Sequence, residues 1–168
     1  MNSRLQQEIK QTRPFASKAH EAFLSILKTA DLLRRRAAKT LEPHRLSLEQ
    51  YNILRILRGA GDEGLPTLEV ASRLIEQSPA ITRMMDKLEA KKLIRRQRCE
   101  RDRRQVLCWI TPAGLDLLSN LDGPVVESDL DGLARIGDSP LSDLIRLLER
   151  VREEFEIQHT AKGNSQKG

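Results

Sequence analysis

The most concentrated chemistry in this chain is cationic. Lys91, Lys92, Arg95, Arg96, Arg98, Arg101, Arg103 and Arg104 fall within fourteen residues and face only Glu100 and Asp102, a net +6. Like charges this close repel one another, so such a run either stays a solvated face or meets a polyanion, a nucleic-acid backbone or an anionic membrane surface. Aromatic residues make up 3% of the chain, too few for the stacking platforms that grip single strands, which favours duplex phosphate. The charge is also segregated: residues 1–121 carry 23 basic and 14 acidic side chains, and residues 122–168 carry 6 and 10.

Bond-making chemistry finds little purchase. The sequence holds no Gly-rich phosphate loop, no Ser or Cys nucleophile with a base at motif spacing and no paired carboxylates in a pocket motif, so no enzyme is expected. His20, His44 and His159 are scattered without ligand spacing and no Cys-x-x-Cys pair occurs, so neither a metal nor another cofactor is expected. Cys99 and Cys108 fall on two neighbouring expected strands; opposite one another they would form a disulfide, and otherwise they are packed or idle thiols. With 39% hydrophobic and 32% charged residues over 168 positions the chain suits one cored domain, or one and a half. No apolar run is long enough to span a membrane, and Met1 to Lys10 holds no apolar signal core, so the cytosol is the expected compartment.

Periodicity supplies the elements that must carry the cations. Phe15, Ala19, Phe23, Ile26, Leu27, Ala30 and Leu33, just after Pro14, predict a long first helix from Phe15 to Ala38. Pro43 interrupts it. Ser47 and Gln50 have capping-box spacing ahead of Leu48, Tyr51, Leu54 and Leu57, which predicts a second helix over Ser47–Arg58. Gly59, Gly61, Gly64 and Pro66 predict a loop, and Thr67 opens a short helix with Val70, Ala71, Leu74 and Ile75 inward.

Ser78 and Pro79 read as N-cap and first residue of the next helix. In it Ile81, Met84, Met85 and Leu88 form the core face, leaving Thr82, Arg83, Asp86 and Lys87 on the other. Leu93–Gln97 and Gln105–Thr111 read as strands joined by Cys-Glu-Arg-Asp-Arg-Arg, with Trp109 packing on the second. Thr111-Pro112 opens a helix with Ala113, Leu117, Leu118 and Leu121 inward. Three glycines and two prolines loosen residues 122–140. A last helix over Ser139–Gln158 carries the stripe Leu141, Leu144, Ile145, Leu148, Val151 and Phe155.

Two short helices with a tight connection, followed by a basic two-stranded ribbon, amount to a winged helix-turn-helix. The expected class is mainly α with a small β-hairpin wing (α+β), flanked by N- and C-terminal dimerisation helices. A helix fits the major groove, and a ribbon reaches phosphate or the minor groove. The helix opening at Ser78 would be the reading element, with Thr82, Arg83 and Lys87 facing bases or phosphates. Arg101, Arg103 and Arg104 at the hairpin tip suit a narrow, negative minor groove. Asp102 between them is expected to pair with a neighbouring Arg and so fix the shape of the tip.

At these residues the sequence resembles the MarR family of bacterial transcriptional regulators, over roughly Ala22 to Asn120. The stretch from Ser78 to Ile94 is similar to that family's recognition helix and first wing strand. Asp102-Arg-Arg, with Ile110-Thr111 beyond it, is similar to its Asp-x-Arg wing signature, which places the wing aspartate on Asp102 and the wing arginine on Arg104. The resemblance implies a homodimer built by the first and last helices, a palindromic operator, and release when a small molecule, in that family often an aromatic acid or phenol, enters a crevice between the dimerisation and DNA-binding parts. Lys92 stands where the family usually has the glycine that ends the recognition helix, and Ile75 stands near a corner that is often glycine. The oxidant-sensing branch uses a cysteine in the first helix, and residues 1–45 contain none.

The expected organisation is an N-terminal dimerisation helix in residues 1–45, a DNA-binding domain in 46–120, C-terminal dimerisation helices in 121–160 and a disordered tail in 161–168. Phe15, Phe23, Leu144, Leu148, Val151 and Phe155 are the candidate dimerisation residues, because these stripes exceed what a small DNA-binding core can cover. His20, His44, Arg45 and Tyr51, from the first two helices, are candidates for lining an effector pocket. The expected function is a ligand-responsive repressor that binds double-stranded DNA as a homodimer. The alternative is a winged-helix module whose arginines meet an acidic protein.

Overall fold

The computed structural model describes residues 3–164 apart from Gln77, Ser78, Glu100, Arg101 and Arg103, and only the backbone at 126–129 and 158–164. Among the described residues seven α-helices, α1 (Arg4–Glu8), α2 (Lys18–Leu41), α3 (Leu48–Ala60), α4 (Thr67–Ser72), α5 (Ile81–Ala90), α6 (Pro112–Ala134) and α7 (Asp138–Asn164), accompany three strands, β1 (Leu65–Pro66), β2 (Ile94–Arg98) and β3 (Val106–Ile110). The chain divides into two compact units, Met1–Ser128 and Asp129–Gly168. Among the described residues no helix is long and apolar enough to cross a membrane.

In the first unit the core gathers where α3, α5, β3 and the start of α6 meet. Ile53, Leu54, Leu57, Val70, Met85, Leu88, Cys108, Leu118 and Leu121 are fully buried. The capping box on α3 is present: Gln50 N–H donates to the Ser47 hydroxyl, and Ser47 N–H donates to the Gln50 side chain, each at 3.2 Å. The apolar face of α5 is inward as expected, with Met85 and Leu88 buried and Ile81 and Met84 packed against the same cluster. The sheet is antiparallel in the order β1-β3-β2, its hairpin running in register from Ile94↔Ile110 to Arg98↔Val106.

The junction between α5 and β2 is a Schellman motif. Leu93 N–H donates to Leu88 C=O at 3.0 Å and Lys92 N–H to Glu89 C=O at 2.8 Å, with Lys92 left-handed at φ 59°. That geometry favours glycine, so the lysine carries a steric cost here. Thr111 closes the hairpin. Its N–H donates to Leu93 C=O at 3.0 Å, and its hydroxyl donates to Lys92 C=O at 2.7 Å and accepts from Gly114 N–H at 3.1 Å. Gly114 is required by proximity, since a Cβ there would lie 2.3 Å from the Leu93 carbonyl oxygen.

Several expectations shift. The first long helix starts at Lys18, capped by the Ser17 hydroxyl, which leaves Phe15 ahead of it, and a short α1 precedes it. The helix expected from Ser78 begins at Ile81. Ser78 lies outside the described residues, and Pro79 and Ala80 form a turn, with Ala80 at φ −95°, ψ 17°. Proline's fixed φ suits such a turn as well as a first helical position, and the sequence motif does not distinguish the two. The expected loop ahead of Thr67 contributes Leu65 and Pro66 as an edge strand on β3, a place where proline's missing N–H is tolerated.

Ile75 is 84% exposed rather than inward: α4 ends at Ser72, so the helical spacing expected to bury Ile75 beside Leu74 no longer holds, and of the two only Leu74 is buried. Ala113 is likewise exposed, and Gly114 takes the buried position on that turn. Residues 122–134, expected to be loose, continue α6 through Pro124. Leu117, Leu118, Leu121 and Val125 pack on the core on both sides of that proline, and packing overrides local propensity.

The second unit holds the end of α6, a turn through Gly137 at φ 90°, and α7. α7 extends to Asn164, beyond the expected Gln158, and residues 165–168 lie outside the described residues. Leu144, Ile145, Leu147, Val151, Phe155 and Ile157 are all exposed, and Leu148 is half-buried. In the first unit α2 likewise buries only Ala37 and Leu41 and exposes Phe23, Ile26, Leu27, Leu32 and Leu33.

The junction makes a paired prediction for urea unfolding. Lys92→Gly relieves the left-handed strain and stabilises by about 1 kcal/mol. Gly114→Ala forces Leu93 aside and destabilises by about 2 kcal/mol. Equal midpoints for the two variants would contradict this account of the junction.

Candidate nucleic-acid interface

α5 presents Thr82, Arg83, Asp86 and Lys87 to solvent, opposite the buried pair Met85 and Leu88. The helix is ten residues long, about 15 Å, the scale of a reading helix in a major groove. Beside it, Thr82 shares a cleft of about 400 Å³ with Thr67 and Leu68 at the start of α4 and with Arg96 and Arg104 of the wing. The structure therefore brings Thr82 and Arg104 to one surface. Of the expected contacts, Ser78, Arg101 and Arg103 lie outside the described residues.

The hairpin tip is shaped from within. Cys99 N–H donates to Gln105 C=O at 3.0 Å, and Gln105 N–H donates to Asp102 C=O at 2.9 Å. The Asp102 carboxylate accepts from Arg104 N–H at 3.0 Å and from the Gln105 side-chain amide at 3.1 Å. These bonds are intramolecular. Among the described residues, however, the carboxylate holds a backbone N–H and an amide rather than the expected guanidinium, which leaves the Arg104 side chain exposed. A carboxylate two residues back satisfies a turn N–H more readily than it reaches a long side chain directed outward.

Two arginines of β2 have opposite fates because successive side chains alternate faces. Arg95 lies on the outer face, its guanidinium 3.9 Å from the centre of the Trp109 ring. The Trp109 indole N–H donates to Asp62 C=O at 3.0 Å. Its ring presses on Gly64, where a Cβ would come within 2.4 Å. Trp109 is thus a packing residue of the wing. Arg96, on the inner face, is held by Asp86 and Glu89 of α5, and the Glu89 carboxylate, followed by Asp86, holds its pKa above the ordinary value. Sequence reading counted Arg96 among the cations available to a polyanion. Strand parity, which sets it on the face of buried Ile94, and the i,i+3 carboxylates on α5 were the signals that could have removed it.

The two cysteines do not meet. Cys108 is paired with Arg96, and Cys99 is bonded opposite Gln105, three residues along. At about 3.3 Å per residue that separation exceeds the reach of a disulfide, and both thiols are free. Burial pushes the Cys108 thiol up from its usual range, partly offset by the Thr67 hydroxyl 3.4 Å away.

The four candidate effector residues are dispersed. His20 is exposed at the start of α2, edge-on to Phe15 at 5.8 Å. His44 and Arg45 are exposed past its other end, which is about 35 Å away at 1.5 Å per residue. Tyr51 is a core residue, 4% exposed. Of the described clefts, one of about 430 Å³ on α3 is lined by Arg55, Arg58, Arg73, Asn52, Ile56 and Ile75. Arg58 there is paired with Asp122 at 2.7 Å and Arg73 with Glu69 at 2.9 Å. Among the described residues no cluster of His, Cys, Asp and Glu is arranged to hold a metal.

Alkylation of the native protein checks this placement of the thiols. Cys99, half-buried, reacts first, while Cys108, buried and with its thiolate disfavoured, reacts only on unfolding. Equal labelling rates in the native state would contradict it.

Comparison with known proteins accords with this geometry. The profile of the MarR family matches residues 46–106. Among curated relatives, a regulatory protein named for the hcr operon of Thauera aromatica is 31% identical over 101 residues, 60% of each chain. The transcriptional regulator PecS of Dickeya dadantii is 28% identical over 73% of this chain and 74% of its own. Among solved structures, a MarR transcription factor from Planctomyces limnophilus is 37% identical, covering 81% of this chain and 98% of its own, at a TM-score of 0.64. The fold alone is shared with Staphylococcus aureus MepR, solved with DNA, at 20% identity over 79% of this chain and 96% of that one and a TM-score of 0.70. With a 37% identical solved structure matched over 98% of its length, and with α5 and the hairpin wing in place, this chain belongs to the MarR family of transcriptional regulators.

Proposed function

We propose that the protein is a ligand-responsive repressor that binds a near-palindromic duplex operator as a homodimer, with α5 in the major groove and the β2–β3 wing in the flanking minor groove. The observation that carries this reading is the shared surface of Thr82 and Arg104, beside the exposed Arg83 and Lys87. A helix of groove-filling size and a cation-tipped ribbon lie side by side, the arrangement that positions on phosphate and reads base edges. The same fold in MepR is solved in complex with DNA. Ser78, Arg101 and Arg103 belong to the proposed contact surface on sequence grounds.

Support for the homodimer comes from apolar faces that neither unit covers by itself. Phe23 is 54% exposed in the first unit and Phe155 60% in the second. With Phe15, Leu144, Leu148 and Val151 they make up the proposed dimerisation surface of residues 1–45 and 121–160. A two-fold axis would set the reading helices about 34 Å apart, one turn of DNA. The effector reading rests on family likeness. Among the described clefts, one lined by Arg55, Arg58, Arg73 and Ile75 lies away from α5 and combines cations with apolar surface, as an aromatic acid requires, although an acid there would share Arg58 with Asp122 and Arg73 with Glu69. Such an effector acts only by preferring one arrangement of the two DNA-binding heads.

Titration of duplex DNA at several salt concentrations tests the reading. Binding falls with a log–log slope of about −0.9 per phosphate neutralised, and a flat slope would favour the acidic-protein alternative. Arg104→Ala costs roughly 1–3 kcal/mol if the guanidinium reads a groove, and unchanged affinity would remove the wing from the interface. Light scattering at micromolar concentration gives the mass of a dimer; a monomer mass contradicts the two-fold assembly.

A further inference from the structure

Arg96 sits in the middle of the most cationic stretch of the chain, yet its guanidinium is engaged within the protein. Nη2 donates to Asp86 Oδ1 and to Glu89 Oε2, each at 2.6 Å, and Nε donates to Glu89 Oε2 at 3.0 Å. The backbone N–H of Arg96 donates to the other oxygen of Glu89 at 3.1 Å. One carboxylate therefore grips both the main chain and the side chain of the same strand residue. The Arg96 side chain is 20% exposed, against 57% for Asp86 and 40% for Glu89.

We propose that Arg96 is a positioning residue for DNA binding: by bridging Asp86 and Glu89 of α5 to β2, it sets the angle at which the wing leaves the reading helix, and it makes no phosphate contact of its own. Four features support this. The bonds are charge-assisted and use the planar fork of the guanidinium, so reaching a phosphate would require breaking several of them at once. They join β2 to α5 beyond the base of the hairpin, where the Schellman motif already holds Leu93, and two points of attachment fix an angle that one leaves free. Asp86 also shares the exposed face of α5 with Thr82, Arg83 and Lys87, where an unpaired carboxylate would repel phosphate; Arg96 neutralises it. The cleft shared by Thr82 and Arg104 has Arg96 in its wall, so a change of wing angle alters the spacing between the two groups that meet the duplex.

This inference rests on the reading that α5 and the wing dock on duplex DNA, and the experiment separates the two. The full chain is titrated, at several salt concentrations, against a duplex recovered from a random pool by the wild-type protein, alongside Glu89→Ala and Arg96→Gln and with thermal midpoints recorded for all three. Glu89→Ala removes a negative charge near the DNA, so simple electrostatics makes it bind tighter. A positioning role makes it bind about tenfold more weakly. Arg96→Gln loses a similar factor while keeping the wild-type salt slope, because no phosphate contact is lost. Wild-type or tighter binding by Glu89→Ala overturns the proposal, as does a slope shallower by about 0.9 in Arg96→Gln, which would make Arg96 a phosphate ligand. If both variants are unfolded at the assay temperature, Arg96 belongs to the fold rather than to docking and the proposal falls. If the wild-type chain retains no duplex from the pool, the DNA reading itself fails, and this inference fails with it.

Discussion

α5 ends and the wing begins within the two peptide units of Lys92 and Leu93, and Thr111 holds both of them. Its N–H and hydroxyl take the two carbonyls of that turn while its oxygen receives Gly114 N–H at the start of α6. The end of one helix, the closing pair of the hairpin and the first turn of another helix are thereby one hydrogen-bonded knot. Its apolar side is continuous with the core through Leu88, Leu93, Ile94 and Leu118. A wing anchored this way shares the rigidity of the core, which a two-stranded ribbon lacks when isolated.

From that knot the chemistry of the surface follows by strand parity. Residues 94, 96 and 98 of β2 fall on one face and 95 and 97 on the other. Ile94 is buried, Arg96 turns to the carboxylates of α5, and Arg95 turns outward onto Trp109. Trp109 can receive it because Asp62 C=O fixes the indole and Gly64 leaves room for the ring. The 3-10 turn Gly61–Glu63 thus acts on the wing at a distance in sequence, as does Thr67, whose hydroxyl donates to Val106 C=O at 3.2 Å.

Much of this was legible beforehand, and the misses share a cause. The α3 capping box, the buried face of α5 and the hairpin over the basic run are local patterns, and local patterns transfer. The two-residue strand at Leu65 and Pro66 exists only because β3 offers an edge. α6 runs through Pro124 only because core contacts on both sides reward it. Strand parity and the spacing of Asp86 and Glu89 pointed to the internal bonding of Arg96, but that they meet it depends on how α5 and β2 cross, which no local pattern contains. At Lys92 the family pattern marked the position in advance: the lysine that stands in place of the usual glycine is left-handed at φ 59°.

The cationic run divides into charges engaged within the protein and charges left at its surface. Eight like charges in fourteen residues would splay a hairpin apart unless some were compensated. Lys91 donates to the Arg45 carbonyl, Arg95 stacks on Trp109, and Arg96 is shared by two carboxylates. Of these three only Arg96 is withdrawn from the surface; Lys91 and Arg95 are exposed, as are Lys92, Arg98 and Arg104 among the described residues. The acids are placed to match: Asp86 and Glu89 brace the middle of the wing and Asp102 its tip. Internal carboxylates thus hold the ribbon in shape without covering the arginine at its end. A uniformly basic segment of the same net charge would attract a duplex equally well at long range, but it would arrive without a defined angle between helix and wing.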